Sequence, residues 1–391
     1  MEHYIFYCKL SLLAVLSLIT ACCMLSRRWY VNLAAFLACL SGETFLAHLF
    51  FPGYMLCPAA ASFIILFLSR IWDLSRTSAK GNGADPIRLP VRSGIRESRL
   101  EFYYYYSNFL VYGGAGSGKT KSIGKWLLSE YMRLGFAGFI YDFKDTDYTC
   151  TAYNLIKRHR YPHKFYYVSF DRPERSYRFN PLKVVRDRTE LIQLMEDVLL
   201  ALLPKKEQQN EWVAGGLGIL RGVAFRFWDE FPEHCTLPHI LAFIMTASAR
   251  QLSLFLQQNL VSEMLAGAYL KAEGSEKTQA SYLSTLCNNL ATVSQNEEIA
   301  YVLSGDDFDF NLIDPENPKL FAVSNNFSKN SVYAPVISML MTISARQFSM
   351  QNRVPFVYFL DEMTTVNIKN FETLPSVLRE YKAAFILLTQ S

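Results

Sequence analysis

The chain lacks what would mark a metalloprotein, a disulfide scaffold or a nucleic-acid coat. Histidine is scarce, six in 391 residues, and none falls in an H-E-x-x-H or similar cluster, so no structural metal is assigned. Eight cysteines are present without metal-ligand spacing: Cys8, Cys22, Cys23, Cys39 and Cys57 lie in an apolar N-terminal region, while Cys150, Cys235 and Cys287 are scattered. That usage fits a reducing cytosol rather than a disulfide framework. A strong charge of either sign is missing too. Thirty-nine Lys and Arg against 35 Asp and Glu leave +4, so any basic surface has to be local.

Charge is rarest in the first 70 residues. Lys9 stands alone between residues 4 and 25, Glu43 and His48 interrupt a second apolar run over 29–49, and a third over 50–68 carries none. These runs predict an N-terminal transmembrane anchor of two to three helices over residues 1–70. Keeping Arg27, Arg28, Arg70, Arg76 and Lys80 on the cytoplasmic side favours three spans with the short N-terminus outside. A cleaved leader, with Ile19-Thr20-Ala21-Cys22 as its box, is disfavoured because more apolar helix follows the cut. Export would also part the next motif from its nucleotide.

That motif is Gly113-Gly114-Ala115-Gly116-Ser117-Gly118-Lys119-Thr120, a full G-x-x-x-x-G-K-[ST] match after the apolar run Phe109 to Tyr112. The glycines let backbone N–H groups face phosphate oxygens, Lys119 adds a point charge, Thr120 offers a hydroxyl to Mg²⁺, and the following helix presents its positive dipole end. A glycine-rich turn that binds nothing is the bland alternative; the strand before and helix after argue against it. A buried strand is expected at 137–141, ending in Asp142-Phe143-Lys144-Asp145, and a further strand of the same sheet at 164–170. Polar residues at such strand ends face the ligand crevice of an open α/β sheet. The run Tyr103-Tyr104-Tyr105-Tyr106 reads as strand or hairpin, its rings packing on a sheet in preference to stacking on bases.

From Thr189 the period becomes helical, and no strand pattern returns until Lys319. The expected division is a linker over 71–100, a first part of the nucleotide domain over 101–186, an all-α insertion over 187–305 and a second part over 306–391. In the last part Val354 to Leu360 forms a buried strand that ends in Asp361-Glu362. There the first acid would hold Mg²⁺ and the second would orient and deprotonate attacking water. Gln390, at the end of the strand 384–388, is placed to sense a γ-phosphate, and Arg379 to reach a neighbouring subunit's nucleotide; taken alone, Arg379 reads more readily as a surface charge.

The anchor, the phosphate loop, Asp142-Phe143-Lys144, Asn180-Pro181-Leu182, the helical insertion, Asp361-Glu362 and the 379–390 tail together resemble the coupling proteins of type IV secretion, the TraD and TraG kind. The resemblance implies a RecA-like P-loop ATPase domain with an inserted all-α domain, using ATP and Mg²⁺ and assembling as a homo-hexamer on the inner membrane with its motor in the cytoplasm. Its implied partners are single-stranded DNA with its relaxase and the channel components. Its implied catalytic set is Lys119, Glu362, Gln390 and the trans-acting Arg379, with Thr120 and Asp361 on the metal. Family members normally continue past a core strand like the one ending at Ser391, so the resemblance also implies a truncated chain. The competing readings are an FtsK- or HerA-like duplex translocase and a nucleotide-switched membrane receptor for secreted substrates.

Overall fold

A computed structural model of the chain describes residues 5–7, 9–12, 14–15, 40–42, 44–50, 85–93, 96–144, 146–203, 210–368 and 370–390. It divides into two compact units, Met1–Ala84 and Asp85–Ser391. In the first, the described residues are helical, and Ile5, Phe6, Leu10, Phe45 and Leu49 are exposed. Among the described residues no helix is long and apolar enough to cross a membrane. Most of the three apolar runs expected to do so lies outside the described residues.

The second unit opens with an antiparallel hairpin of β1 (Ile87–Ser93) and β2 (Arg96–Phe102). Of the interval 71–100, expected to be a linker, the described residues 87–93 and 96–100 are strand; residues 71–84 lie outside the described residues. Glu130 anchors the hairpin by accepting the Arg88 N–H at 2.8 Å, while the Arg133 guanidinium reaches the Pro86 carbonyl at 2.9 Å and the Asp85 carboxylate.

The core is a six-stranded parallel sheet in the order β3-β8-β7-β4-β6-β5. Its strands are β3 (Phe109–Tyr112), β4 (Ala137–Asp142), β5 (Lys164–Ser169), β6 (Lys319–Ser324), β7 (Phe356–Leu360) and β8 (Ala383–Thr389). Parallel strands covered on both faces read as unbroken apolar runs, and β4, β6 and β7 are buried at every position. The period of two then splits the core. Ile140, Leu320, Val357, Phe359 and Ile386 point to the face covered by α1 (Lys125–Arg133) and α2 (Asp147–His159). Phe139, Tyr141, Phe321, Tyr358 and Phe385 point to the other.

That second face carries α11 (Asn330–Arg346) and, against it, a helical block between β5 and β6. The block comprises α3 (Arg188–Leu202), α4 (Glu211–Glu230), α5 (Leu237–Thr246), α6 (Ala249–Gln257), α7 (Leu260–Leu265), α8 (Gly267–Lys271), α9 (Glu276–Ser294) and α10 (Glu297–Leu303). Its starts are signed in the sequence: Asp187, Asn210, Thr236, Ser248, Asn259 and Asn296 all cap with their side chains, each cap being worth roughly 1 kcal/mol. The long α4 is the block's axis. At Gly218 a Cβ would stand 2.8 Å from the Leu265 carbonyl oxygen, so any side chain there would push α7 away.

Tyr103 to Tyr106, expected in a strand or hairpin, form an irregular turn between β2 and β3. Specific hydroxyl bonds outweigh β-propensity here: Tyr131 donates to the Tyr105 carbonyl at 2.6 Å, and Tyr105 donates to the Asp85 carbonyl at 2.5 Å. Tyr105 and Tyr106 both pack on Phe136. Propensity describes a pleated, half-buried surface, and these rings have found another.

Candidate nucleotide site at the carboxyl rim of the sheet

The phosphate loop leaves β3 at Tyr112 and bends through Gly116 (φ +74°) and Gly118 (φ +82°). Both lie in the left-handed region that glycine occupies without penalty. Lys119 folds back over the loop, its ammonium donating to the Gly113 carbonyl and, at 3.2 Å, to the Gly114 carbonyl. Thr120 starts a π-helical turn, Thr120–Gly124, that runs into α1. Turns of this kind concentrate at functional sites.

Strand order brings the other residues in. β8 lies between β3 and β7, with Thr389 beside Tyr112 and Leu387 beside Leu360, so the tip of β8 stands between the loop and the acid pair. From that tip Gln390 Nε2 donates to Glu362 Oε1. The same oxygen lies 3.3 Å from Lys144 Nζ, which comes over from the end of β4. Glu362 itself is buried and sits in the left-handed region at φ +48°, a strained conformation of the sort that clusters at active sites. Its carbonyl accepts from Thr365 Oγ1 at 2.7 Å, Thr365 meets the Tyr141 hydroxyl at 2.7 Å, and Asn325 donates to that hydroxyl at 2.8 Å. The turn that carries the second acid is thus tied to the tips of β4 and β6.

Asp361 is buried, and its Oδ2 has no hydrogen-bond partner. Burial pushes its carboxyl up to about 7; the Lys144 ammonium pulls it down in part, and Asp142, Glu362 and Asp147 push it further up. Asp142 is likewise raised by burial, against hydrogen bonds from the Thr149 N–H at 2.9 Å and hydroxyl at 3.0 Å. Its second oxygen, Asp142 Oδ1, is without a partner, as is the Tyr148 hydroxyl, which lies against Gly124 of the loop's own helix. Buried orphans of this kind are few in native proteins and call for an explanation. A hydrated divalent cation beside Asp361 would satisfy them, and the oxygen-only donor set of Thr120 and Asp361 suits Mg²⁺. Among the described residues no group of His, Cys, Asp and Glu forms a metal cluster by itself.

Sequence reasoning placed Gly113 to Thr120, Asp361, Glu362 and Gln390, and the structure brings them to one rim. Arg379 is elsewhere. It lies in α12 (Leu374–Glu380), ahead of the start of β8, and lines a groove with Tyr103 to Tyr106. A seven-residue strand separates that amino rim from Thr389, roughly 20 Å at 3.3 Å per residue, so Arg379 is far from its own chain's loop. Lys144 and Asp142 were read as facing the crevice without a role; Tyr148, the second residue of α2, gave no signal at all. Asn180, part of the Asn-Pro-Leu signature, supports the fold. Its side-chain oxygen accepts the Leu182 N–H at 3.0 Å and its amide donates to the Cys235 carbonyl at 2.8 Å, which pins the approach to α5.

Residues 88–391 match the model of the family described as "Type IV secretory system Conjugative DNA transfer". Comparison with curated proteins gives no match. Among solved structures the chain is similar to the plasmid coupling protein TrwB in complex with the ATP analogue ADPNP, at 16% identity and TM-score 0.59 over 82% of this chain and 70% of that one. The TrwB complex with ADP and Mg²⁺ matches at 16% and 0.58, over 80% and 74%. The trigonal form of the conjugative coupling protein TrwBdeltaN70 with sulphate matches at 16% and 0.57, over 74% of this chain and 64% of that one. The chain thus spans a little under two thirds of that last relative's length, and at this identity the likeness is one of fold.

Proposed function

The chain belongs to the type IV secretory system conjugative DNA transfer family, and from that premise we propose that it is an ATPase coupling relaxase-bound DNA to a secretion channel. The observation that carries this reading is the convergence on one rim of a phosphate loop, a paired acid and a glutamine bonded to the second acid. ATP would lie with its phosphates on the loop amides, Lys119 exchanging the Gly113 and Gly114 carbonyls for phosphate oxygens. Mg²⁺, when bound by Thr120 and Asp361, supplies neutralisation of charge on those oxygens. Glu362 orients a water and takes its proton as the water oxygen bonds to the γ-phosphorus and the bond to ADP breaks. Gln390 donates to Glu362 and so reports the γ-phosphate's presence along β8. Two of the TrwB structures are complexes, one with ADPNP and one with ADP and Mg²⁺, which supports the same ligands here.

Arg379, at the opposite rim, serves a neighbour's site in this reading, which makes the working form an oligomer, a hexamer by the family resemblance. Anchoring of residues 1–70 in the inner membrane, with the Asp85–Ser391 unit in the cytoplasm, completes the proposal. Glu362→Gln tests it. Phosphate release should fall by about 10²–10⁴-fold with ADP binding kept, and DNA transfer should stop while relaxase docking persists. Transfer that continues at the wild-type rate would instead identify a receptor that uses nucleotide only to switch.

A further inference from the structure

A cleft of about 960 Å³ lies between the β1–β2 hairpin and the helices α1 and α2, on the face of α1 turned away from the sheet. Four arginines line it, Arg88, Arg99, Arg133 and Arg158. Two are spent on the fold. Arg88 pairs with Asp85 at 2.7 Å, and Arg133 pairs with Glu130 at 2.9 Å and with Asp85. Glu130, the one acid among the described residues that line the cleft, is used up by those contacts. Arg99 and Arg158 have no ion-pair partner among the described residues, and they line the cleft from β2 and from the last turn of α2. The carbonyl end of α2 is also there, but Lys157 and Arg158 sit in its last turn and oppose that dipole. Burial first, then Arg158 and Arg133, hold the His159 imidazole below its usual range, with Glu130 opposing; its Nε2 meets Ser129 Oγ at 2.9 Å.

The cleft also holds Trp126, an indole 44% exposed on the first turn of α1. A large exposed ring that shares a cleft with two guanidinium groups lacking an ion-pair partner among the described residues suits one kind of ligand. We propose that this cleft binds single-stranded nucleic acid, with a base stacked on Trp126 and the flanking phosphates on Arg99 and Arg158. Base stacking is indifferent to sequence, and two spaced cations track a backbone. A duplex keeps its bases inside and offers nothing to Trp126. An anionic membrane would meet a protruding basic rim, whereas this ring lines a concavity. The inference deepens the transfer reading above and rests on it. It also supplies a route of coupling, because Ser122, in the same cleft, donates to the Gly118 carbonyl at 2.7 Å. A strand in the cleft therefore touches the turn that carries Thr120.

The test is fluorescence anisotropy of a labelled oligo(dT) of about 15 nucleotides, near the upper site size of a single-strand groove, with the full chain in detergent and salt titrated from about 50 to 200 mM. Trp126→Ala and the double variant Arg99→Ala/Arg158→Ala should each weaken binding by at least about tenfold. The double variant should also flatten the log–log salt slope by about 1.4, two contacts at about 0.7 each. Trp126→Phe should bind nearly as the wild type does, and ADP affinity should be the same in all, which keeps misfolding apart from lost contact. Wild-type affinity and slope in the Ala variants overturn the cleft alone. Lost binding to anionic vesicles with oligonucleotide binding kept overturns it in favour of a lipid surface. A wild-type chain that binds no oligonucleotide overturns the cleft and the transfer reading beneath it together.

Discussion

At the carboxyl rim of the sheet, Asp142, Asp361 and Tyr148 each bury a polar atom with no protein partner. At the amino rim of the same strands the buried Tyr161 donates to the Phe136 carbonyl at 2.5 Å, and the exposed Asn108 receives the Phe385 N–H at 3.0 Å while donating to the Pro375 carbonyl at 3.0 Å; a single orphan, Asn311 Oδ1, lies ahead of the start of β6. An unmet buried group costs about 1–3 kcal/mol. Folding alone gives no reason for three of them to gather at one end, beside the phosphate loop and the paired acids. A ligand that met those atoms would complete the carboxyl rim, whereas the amino rim has less to gain from one.

The hardest test of that contrast is Lys119→Ala. If the carboxyl rim is completed by nucleotide, phosphate release should drop by at least about 10²-fold, the loss typical of one removed electrostatic contact to a transition state. Turnover at the wild-type rate would sink the assignment.

Arg379→Ala strikes the other rim and should give a nearly equal loss by a different route. Removing a trans-acting arginine costs on the order of 10³-fold in turnover, yet ADP affinity in dilute solution should not change, since Arg379 is remote from its own loop. Mixing Lys119→Ala chains with Arg379→Ala chains should restore part of the activity, because one supplies an intact arginine and the other an intact site. No recovery on mixing would place Arg379 outside any shared site.

Asp361→Asn sharpens the contrast through stability. Its carboxyl titrates near 7 in the fold and near 3.9 unfolded, so the folded chain binds the extra proton in between and loses stability as pH rises from about 4 to 7. That burden is fully present above about pH 7 and absent below about pH 4. Without Mg²⁺, Asp361→Asn should therefore melt roughly 2–6 °C above the wild type at about pH 8, with the gain vanishing by about pH 4 to 5. An equal gain at both pH values would mean that the carboxylate is not held at a cost. Added Mg²⁺ and ADP should reverse the order, because the wild type alone recovers its orphaned oxygen.

How far this rim could be read in advance depended on the kind of signal. Phe109 to Tyr112 forms a strand residue for residue, though as an edge strand with Leu110 and Tyr112 exposed instead of the buried strand its apolar run suggested, and β4, β6 and β7 fall where unbroken apolar runs demanded them, because burial on both faces leaves no choice of composition. The helical block was legible from its period and its caps. The site residues were legible where a motif fixes backbone as well as chemistry, as in the phosphate loop. Lys144, Tyr148 and Asn325 were not, since their roles arise from strand order, which places the ends of β4, β6 and β7 side by side although they are distant in sequence. Tyr103 to Tyr106 misled for the converse reason. Their composition favours strand, but hydroxyl and ring contacts specific to this fold decide the turn.

Those tyrosines give the smallest expected effect and the cleanest control. Tyr105→Phe removes one hydroxyl bond, to the Asp85 carbonyl at 2.5 Å, and keeps the ring on Phe136. Asp85 is exposed, so water takes over at that carbonyl and the loss should sit near the low end of the usual range, about 0.5–1 kcal/mol. It should also stay local. Asp85 and Arg133 hold the start of the β1–β2 hairpin, so faster amide exchange is expected across Ile87–Ser93 and none across β4 or β7. ADP affinity and phosphate release should match the wild type. A change in either would mean that the two rims communicate through the strands, and the division between a completed end and a ligand-completed end would then have to be redrawn.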